Sequence, residues 1–357
     1  MTDILGTPDD PTFGLDTFGD VGLEAADGPT PMPEAIREVV AEAELADAVG
    51  IDYIGLGEHH RPDYAISAPD VVLAAIAGRT RRIRLGTGVT VLSSDDPVRV
   101  FERFATLDAV SSGRAEVTMG RGSFIESFPL FGYALEDYEL LFSEKLDLWS
   151  KLLEEQPVTW QGTTRAQLND QRAFPTTESG RLPTWVGVGG TPESVVRAAA
   201  YGFPLVLAVI GGSPARFAPL VELYHQALRQ RGHEPLPVAM HSPGHVAATD
   251  DQAREEHFAP QRDTFARIGK ERGWGAPMSR ADHDAMCGPT GAYFVGSPET
   301  VAQKIAWAIR SLGLSRFQLK YAVGALPHGA RLESIRLYGT QVVPRVRELL
   351  GVSPADR

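Results

Sequence analysis

Residues 184–201 read TWVGVGGTPESVVRAAAY and contain one complete strand-turn-helix unit. Thr184 to Val188 is a short run rich in β-branched residues, which predicts a buried parallel strand. Gly189 and Gly190 interrupt it. Thr191-Pro192, a hydroxyl before a first-turn proline, then opens a helix that runs to Tyr201. The same alternation repeats outward in both directions. Further strands are expected at Thr12 to Thr17, Asp52 to Gly57, Ile83 to Val91, Ala115 to Gly120, Pro204 to Val209, Val238 to Val246 and Arg316 to Ala322. Helices are expected at Glu34 to Val49, Pro69 to Arg79, Pro97 to Ser111, Tyr138 to Glu154, Pro214 to Arg231, Pro298 to Leu312 and Arg331 to Leu350. Strands alternating with covering helices predict the α/β class, a single (β/α)8 TIM barrel with insertions, residues 1–357 forming one domain. Gln156 to Leu182 is a polar connection. Residues 249–295 separate the seventh strand from its helix and contain a helical segment, Asp251 to Arg272; they form either a lid over the catalytic face or a helical decoration.

Composition narrows the partners. The chain carries 34 Lys+Arg against 46 Asp+Glu, a formal charge of -12, which argues against nucleic acid and anionic membrane surfaces. The lone Cys287 excludes an intrachain disulfide and fits a reducing compartment, and Met1 to Asp10 has no signal-peptide pattern, so a cytoplasmic location is expected. Apolar runs such as Phe203 to Ile210 are too short to span a bilayer.

Four segments carry chemistry. Gly189, Gly190, Thr191 and Ser194 outline an anion site, because glycines let backbone approach and amides at a helix start point outward; the same residues also read as a capped helix after a tight turn. Arg121, between Gly120 and Gly122 at the end of the fourth strand, is placed to pair with the same anion, or stands as a surface arginine. Gly86 and Gly88 weaken the third strand, so that a flat ring approaches Gly88, Val89 and Thr90, or small residues relieve crowding in the barrel. The second strand ends in Gly57-Glu58-His59-His60, which suggests one histidine as a proton carrier and the other bonded to backbone. A metal hydrolase is the rival, but neighbouring residues on a strand point to opposite faces and no further ligand cluster completes a site. His241 and His245 read as structural. Thr17, Phe18, Glu58 and Ser123 are additional rim candidates.

These stretches resemble the bacterial luciferase-like family of flavin-dependent monooxygenases and reductases. The resemblance rests on Gly57 to His60, on Leu85 to Val91 with Ser94 to Arg99, on Leu107 to Arg114, on Gly120-Arg121-Gly122, and on Trp185 to Ser194. It implies a β/α barrel that binds FMN, with a nonprolyl cis peptide at Gly88-Val89 beneath the ring. The phosphate would lie on Arg121, Gly190, Thr191 and Ser194, and His59 would assist the chemistry. It also implies a small-molecule substrate, a separate reductase supplying reduced FMN, and a homodimer. Two departures matter: Gly120 stands where the luciferases have a cysteine, and Gly88 replaces a bulky residue, so neither thiol chemistry nor light emission carries over. Reduced flavin with oxygen is the leading expectation. A deazaflavin-dependent dehydrogenase on the same fold, or a flavin-binding protein without turnover, are the alternatives.

Overall fold

Tyr53, Trp185, Glu116 and Arg316 are large or charged, and all four point into the barrel at the starts of its strands. The computed structural model describes residues 5–122, 124–273 and 276–352; Ser123 lies outside them. The strands are β1 (Thr12–Thr17), β2 (Tyr53–Leu56), β3 (Arg84–Thr87), β4 (Thr90–Val91), β5 (Val117–Gly120), β6 (Val158–Trp160), β7 (Leu168–Gln171), β8 (Thr184–Val188), β9 (Leu205–Ala208), β10 (Val238–Val246), β11 (Phe294–Gly296) and β12 (Arg316–Lys320). Parallel pairing runs in the order β3-β2-β1-β12-β10-β9-β8-β5-β4. Because β3 and β4 are successive pieces of one stretch of chain, that order closes on itself, and a parallel bridge between Leu85 and Ala115 helps seal the seam.

Helices α1 (Met32–Ala48), α2 (Pro69–Ala77), α3 (Pro97–Val110), α4 (Ser127–Phe131), α5 (Tyr138–Leu152), α6 (Pro192–Ala200), α7 (Ala218–Gln230), α8 (Asp250–Arg272), α9 (Arg280–Cys287) and α10 (Pro298–Leu312) follow in chain order. In α10 the buried stripe is Val301, Ile305, Ile309 and Leu312, the spacing of one helical face. Ser297 caps that helix through the Thr300 amide, and Gly313 ends it at φ 61, a left-handed conformation open to glycine.

The structure corrects several expected boundaries. The third strand is not continuous: a cis peptide at Gly88-Val89 separates β3, paired with β2, from β4, paired with β5. The connection Gln156 to Leu182 contains the antiparallel hairpin β6-β7, anchored by buried Val158 and by Trp160, whose indole donates to Asp147 at 2.9 Å. The helix expected from Pro214 starts later, at Ala218; Pro214–Phe217 forms a 3-10 turn before α7. The last helix is three pieces, α11 (His328–Leu337), a π-helical turn at Tyr338–Val342 and α12 (Val343–Leu350). Pro344 lacks the amide that would continue the ladder, and Gly339 packs so closely on Val49 that a Cβ would lie 2.5 Å from its methyl carbon. Between β10 and α10 the chain adds α8, α9 and the short β11, which pairs with β10.

The base of the barrel is closed by charge and aromatic bulk. Glu116 Oε2 accepts from Arg316 Nη1 at 2.9 Å and from the Trp185 indole at 2.7 Å, and Glu116 Oε1 accepts from Arg84 Nε at 3.1 Å. The Arg316 guanidinium lies between the rings of Tyr53 and Trp185. Burial raises the Glu116 pKa, but the opposing pull of Arg316, Arg84 and the Trp185 indole leaves it below the usual carboxylate range. Leu5 packs on Trp185, Val206 and Ala239 and covers this layer from below.

Candidate functional site

At the opposite end, β5 and β8 deliver Arg121 and the start of α6 to one corner. Arg121 Nη2 donates to Ser194 Oγ at 3.1 Å, and Ser194 Oγ lies 2.7 Å from Thr191 Oγ1. Thr191 therefore turns its hydroxyl toward Ser194 and makes no capping bond to its own helix, unlike Asp96 and Ser297 at α3 and α10. Gly190, at φ 124, and Gly189 leave the approach to these amides bare of side chains. Glu193 is exposed.

Two residues not anticipated from the sequence complete the corner. Arg197 lies one helical turn beyond Ser194, a spacing that places both on one face and could have revealed it. Its Nη2 donates to Glu139 Oε2 at 2.7 Å, and its Nη1 is buried without an acceptor among the described residues. Glu139, in the first turn of α5, bonds Arg121 through its other oxygen. Burial raises the Glu139 pKa, while Arg197 and Arg121 together outweigh that and hold it below the ordinary range. No motif marks Glu139, which follows an irregular segment. In this structure its carboxylate stands where an external anion would meet the two guanidinium groups.

Beside the corner lies the Gly88-Val89 junction. Val89 leans over two residues without side chains: a Cβ on Gly120 would lie 2.3 Å from Val89 Cγ2, and one on Gly187 2.9 Å from Val89 Cγ1. Glycine at position 120 is what lets Val89 sit there. Glu58 holds the chain just past the junction, its amide donating to Val89 O at 3.1 Å and its Oε2 accepting the Val91 amide at 2.8 Å. Gly86, in contrast, answers to crowding, since a Cβ there would strike the Tyr53 ring at 2.8 Å. Thr90 is turned away: its buried hydroxyl donates to Thr87 at 3.0 Å, and it lines a cavity of about 150 Å3 with Glu58, His60, Asp95, Arg103, Phe104 and Phe131.

The four histidines singled out in the sequence occupy different environments. His59 sits among the rings of Phe18, Tyr64 and Phe124, at centroid distances of 4.5, 4.7 and 5.3 Å, with no hydrogen bond to its imidazole among the described residues. Burial, then the charges of Lys320, Arg61 and His60, pushes its pKa down to about 3, so the ring is neutral. His60 is not bonded to backbone as expected; its Nε2 meets Glu58 Oε1 at 3.0 Å. His241 Nδ1 meets Asp16 Oδ2 at 2.8 Å, deep in the barrel beside the Phe18 ring, and His245 Nε2 meets Glu256 of α8 at 2.6 Å. Asp16 was not singled out in the sequence. Its other oxygen is buried without a partner among the described residues, 3.1 Å from where a Cβ on Gly88 would stand. Thr17 is buried, its hydroxyl accepting the Gly19 amide. Among the described residues no cluster of three or more His, Cys, Asp or Glu side chains suits a metal ion, and no helix is long and apolar enough to cross a membrane.

Over this rim the far end of α8 is tied down by Arg61. Its Nη2 and Nη1 reach Glu271 at 2.7 and 2.9 Å, its Nε reaches Asp63 at 3.0 Å, and it also bonds Glu126. Its guanidinium lies 4.1 Å over the Phe124 ring, so the latch and the aromatic cage around His59 share a wall.

A parallel barrel whose strand ends carry two guanidinium groups at a helix start, a cis peptide and a neutral imidazole has the layout of a β/α-barrel enzyme that works at its C-terminal face. The luciferase-like monooxygenase family profile matches residues 15–316, and the chain belongs to that family, a flavin-dependent oxidoreductase of the luciferase-like class. A monooxygenase from Streptomyces bottropensis superposes with a TM-score of 0.81 at 25% identity, covering 93% of this chain and 99% of that one. The oxygenating constituent of 3,6-diketocamphane monooxygenase from Pseudomonas putida, solved in complex with FMN, shares the fold with a TM-score of 0.75 at 20% identity over 94% and 98%. An F420-dependent secondary alcohol dehydrogenase shares it with a TM-score of 0.73 at 18% identity over 94% and 99%. The 4-hydroxyprotoasukamycin monooxygenase of Streptomyces nodosus subsp. asukaensis is 36% identical over 164 residues, spanning 45% of this chain and 44% of that one.

Proposed function

We propose that the protein is an FMN-dependent monooxygenase that uses reduced flavin and oxygen on a small organic substrate. The observation that carries this reading is the convergence of Arg121, Ser194 and Thr191 beside the Gly88-Val89 junction. The corner fits a phosphate on its own evidence: a helix start without a side-chain cap, a carboxylate already drawn between two guanidinium groups, and a buried Arg197 nitrogen that lacks an acceptor among the described residues. Gly189, Gly190, Thr191, Ser194 and Arg121 would hold the phosphate, and Gly88 and Val89 would support the ring. Thr90, whose hydroxyl is engaged behind the strand, would contribute only backbone. When bound, reduced flavin supplies the electrons that split dioxygen, one atom going to substrate and one to water.

The remaining work falls to the protein. The aromatic cage keeps the His59 ring neutral, so it would serve the chemistry as a hydrogen-bonding imidazole, a donor at one ring nitrogen and an acceptor at the other. Asp16 fixes His241 by Nδ1, which directs Nε2 as a second proton site. Residues 249–295, latched through Arg61, act as a lid that keeps water from the reaction. A homodimer and a separate reductase supplying reduced FMN complete the proposal. Reconstitution tests it: purified protein should bind FMN with a flavin absorbance band and, given reduced FMN, consume oxygen in a substrate-dependent manner. Failure to bind FMN rejects the reading. Displacement of FMN by a deazaflavin coenzyme at much lower concentration would reassign the protein to two-electron dehydrogenation on the same site.

A further inference from the structure

Both terminal nitrogens of Arg121 are engaged. Nη2 donates to Ser194 Oγ at 3.1 Å, and Nη1 is bonded to Glu139 Oε1. Glu139 Oε2 in turn accepts from Arg197 Nη2 at 2.7 Å. An incoming phosphate that grips Arg121 at two points needs the position this carboxylate holds. A phosphate that avoids Glu139 gains little, because it then sits beside a negative charge on an arginine already neutralised. We propose that Glu139 is a resident competitor for the anion corner, so that a phosphate-bearing cofactor binds by displacing a carboxylate of the chain itself and departs as that carboxylate returns.

The surroundings suit an exchange. The Glu139 side chain is 55% exposed, so it can swing into water without unpacking α5. Arg197, stacked over the Phe142 ring, stays in place to receive either anion. A carboxylate offers two oxygens and a terminal phosphate three, and the extra one answers the Arg197 Nη1 group that has no acceptor among the described residues. The displacement sets affinity and selectivity together: it weakens every phosphate-bearing flavin and leaves riboflavin, which lacks the phosphate, untouched. The cofactor then behaves as an exchangeable substrate rather than a permanent group.

This inference rests on the corner being a phosphate site, and the test separates the two. FMN and riboflavin are titrated into wild-type protein and the Glu139→Gln variant at low ionic strength, with melting curves in rising inorganic phosphate as a parallel measurement. Removing one negative charge from a partly screened site should tighten FMN binding ~10-fold, leave riboflavin unchanged, and make inorganic phosphate more stabilising in the variant. Equal or weaker FMN binding in the variant overturns the competitor role and makes Glu139 a support for Arg121; the FMN reading survives if FMN still outbinds riboflavin. If neither flavin binds either protein, the FMN reading falls, and the phosphate melting curves alone decide: a larger shift in the variant upholds the competition, and an equal or smaller one ends it.

Discussion

Glu58 holds the amide of Val91 through its carboxylate at 2.8 Å while its own amide holds Val89 O at 3.1 Å. One residue thus grips the chain at two points just past the junction that interrupts the third strand, while the Gly88 amide on the near side is held by Leu56 O. Glu58→Ala leaves the Val91 amide without its buried acceptor and should cost about 1–3 kcal/mol of stability. Glu58→Gln, which keeps an acceptor oxygen, should recover most of it. Denaturant melts of both variants check this, and an alanine variant as stable as wild type removes the clamp from consideration.

Arg121→Ala should weaken FMN binding about 10- to 100-fold, the effect of a lost charge-assisted contact, with no change for riboflavin. Fluorescence titration measures both. Equal losses for the two flavins would place Arg121 at the ring and not at the phosphate.

His59 shapes the acid limb of stability. Its pKa is depressed from 6.5 to about 3 in the folded protein, so between those values the unfolded chain takes up a proton that the folded one refuses. Stability is therefore full above pH 6.5 and lost as pH falls toward 3, by up to about 2 kcal/mol at pH 5. Replacing the ring by His59→Phe should flatten that slope. Urea unfolding at pH 5 and 7.5 reads the difference, and parallel slopes in the two proteins would show that the imidazole is already solvated.

Glu116 is the charge on which Arg316 and Arg84 depend. Glu116→Ala leaves Arg316 buried without its counter-charge and should destabilise by about 3–5 kcal/mol. The carboxyl is held below 4.5, so the stability it provides is present above that pH and fades as pH drops through its folded-state value. An alanine variant within about 1 kcal/mol of wild type in thermal melts would mean that the guanidinium finds water instead.

Most of the barrel was legible because its units repeat and carry local punctuation. β1, β8, β10 and α10 have the expected limits, and Gly88-Val89 is the cis peptide the resemblance implied. What failed was non-local. The hairpin at Val158 and Leu168 depends on Trp160 meeting Asp147 of α5, and a polar stretch gives no sign of that. The corner itself was readable in Arg121 and Thr191, each next to glycine or proline, and in Ser194 in the first turn of the helix that Thr191-Pro192 opens. Glu139, Arg197 and Asp16 act through partners distant in sequence, and their spacing along the chain carries little of that geometry. The histidines show the same limit: their types were visible, but whether each ring meets a carboxylate or only aromatic carbon is set by packing.

The layer of Tyr53, Glu116, Trp185 and Arg316, with Leu5 beneath it, makes the barrel a cup and not a tube. On the proposed function, reductant, oxygen, substrate and product would share a single mouth. Visitors to a cup must queue: a molecule resting against Val89 has to arrive before anything that settles above it, and the last to enter must be first to go. The order of events is thereby written into the architecture, ahead of any preference of individual side chains.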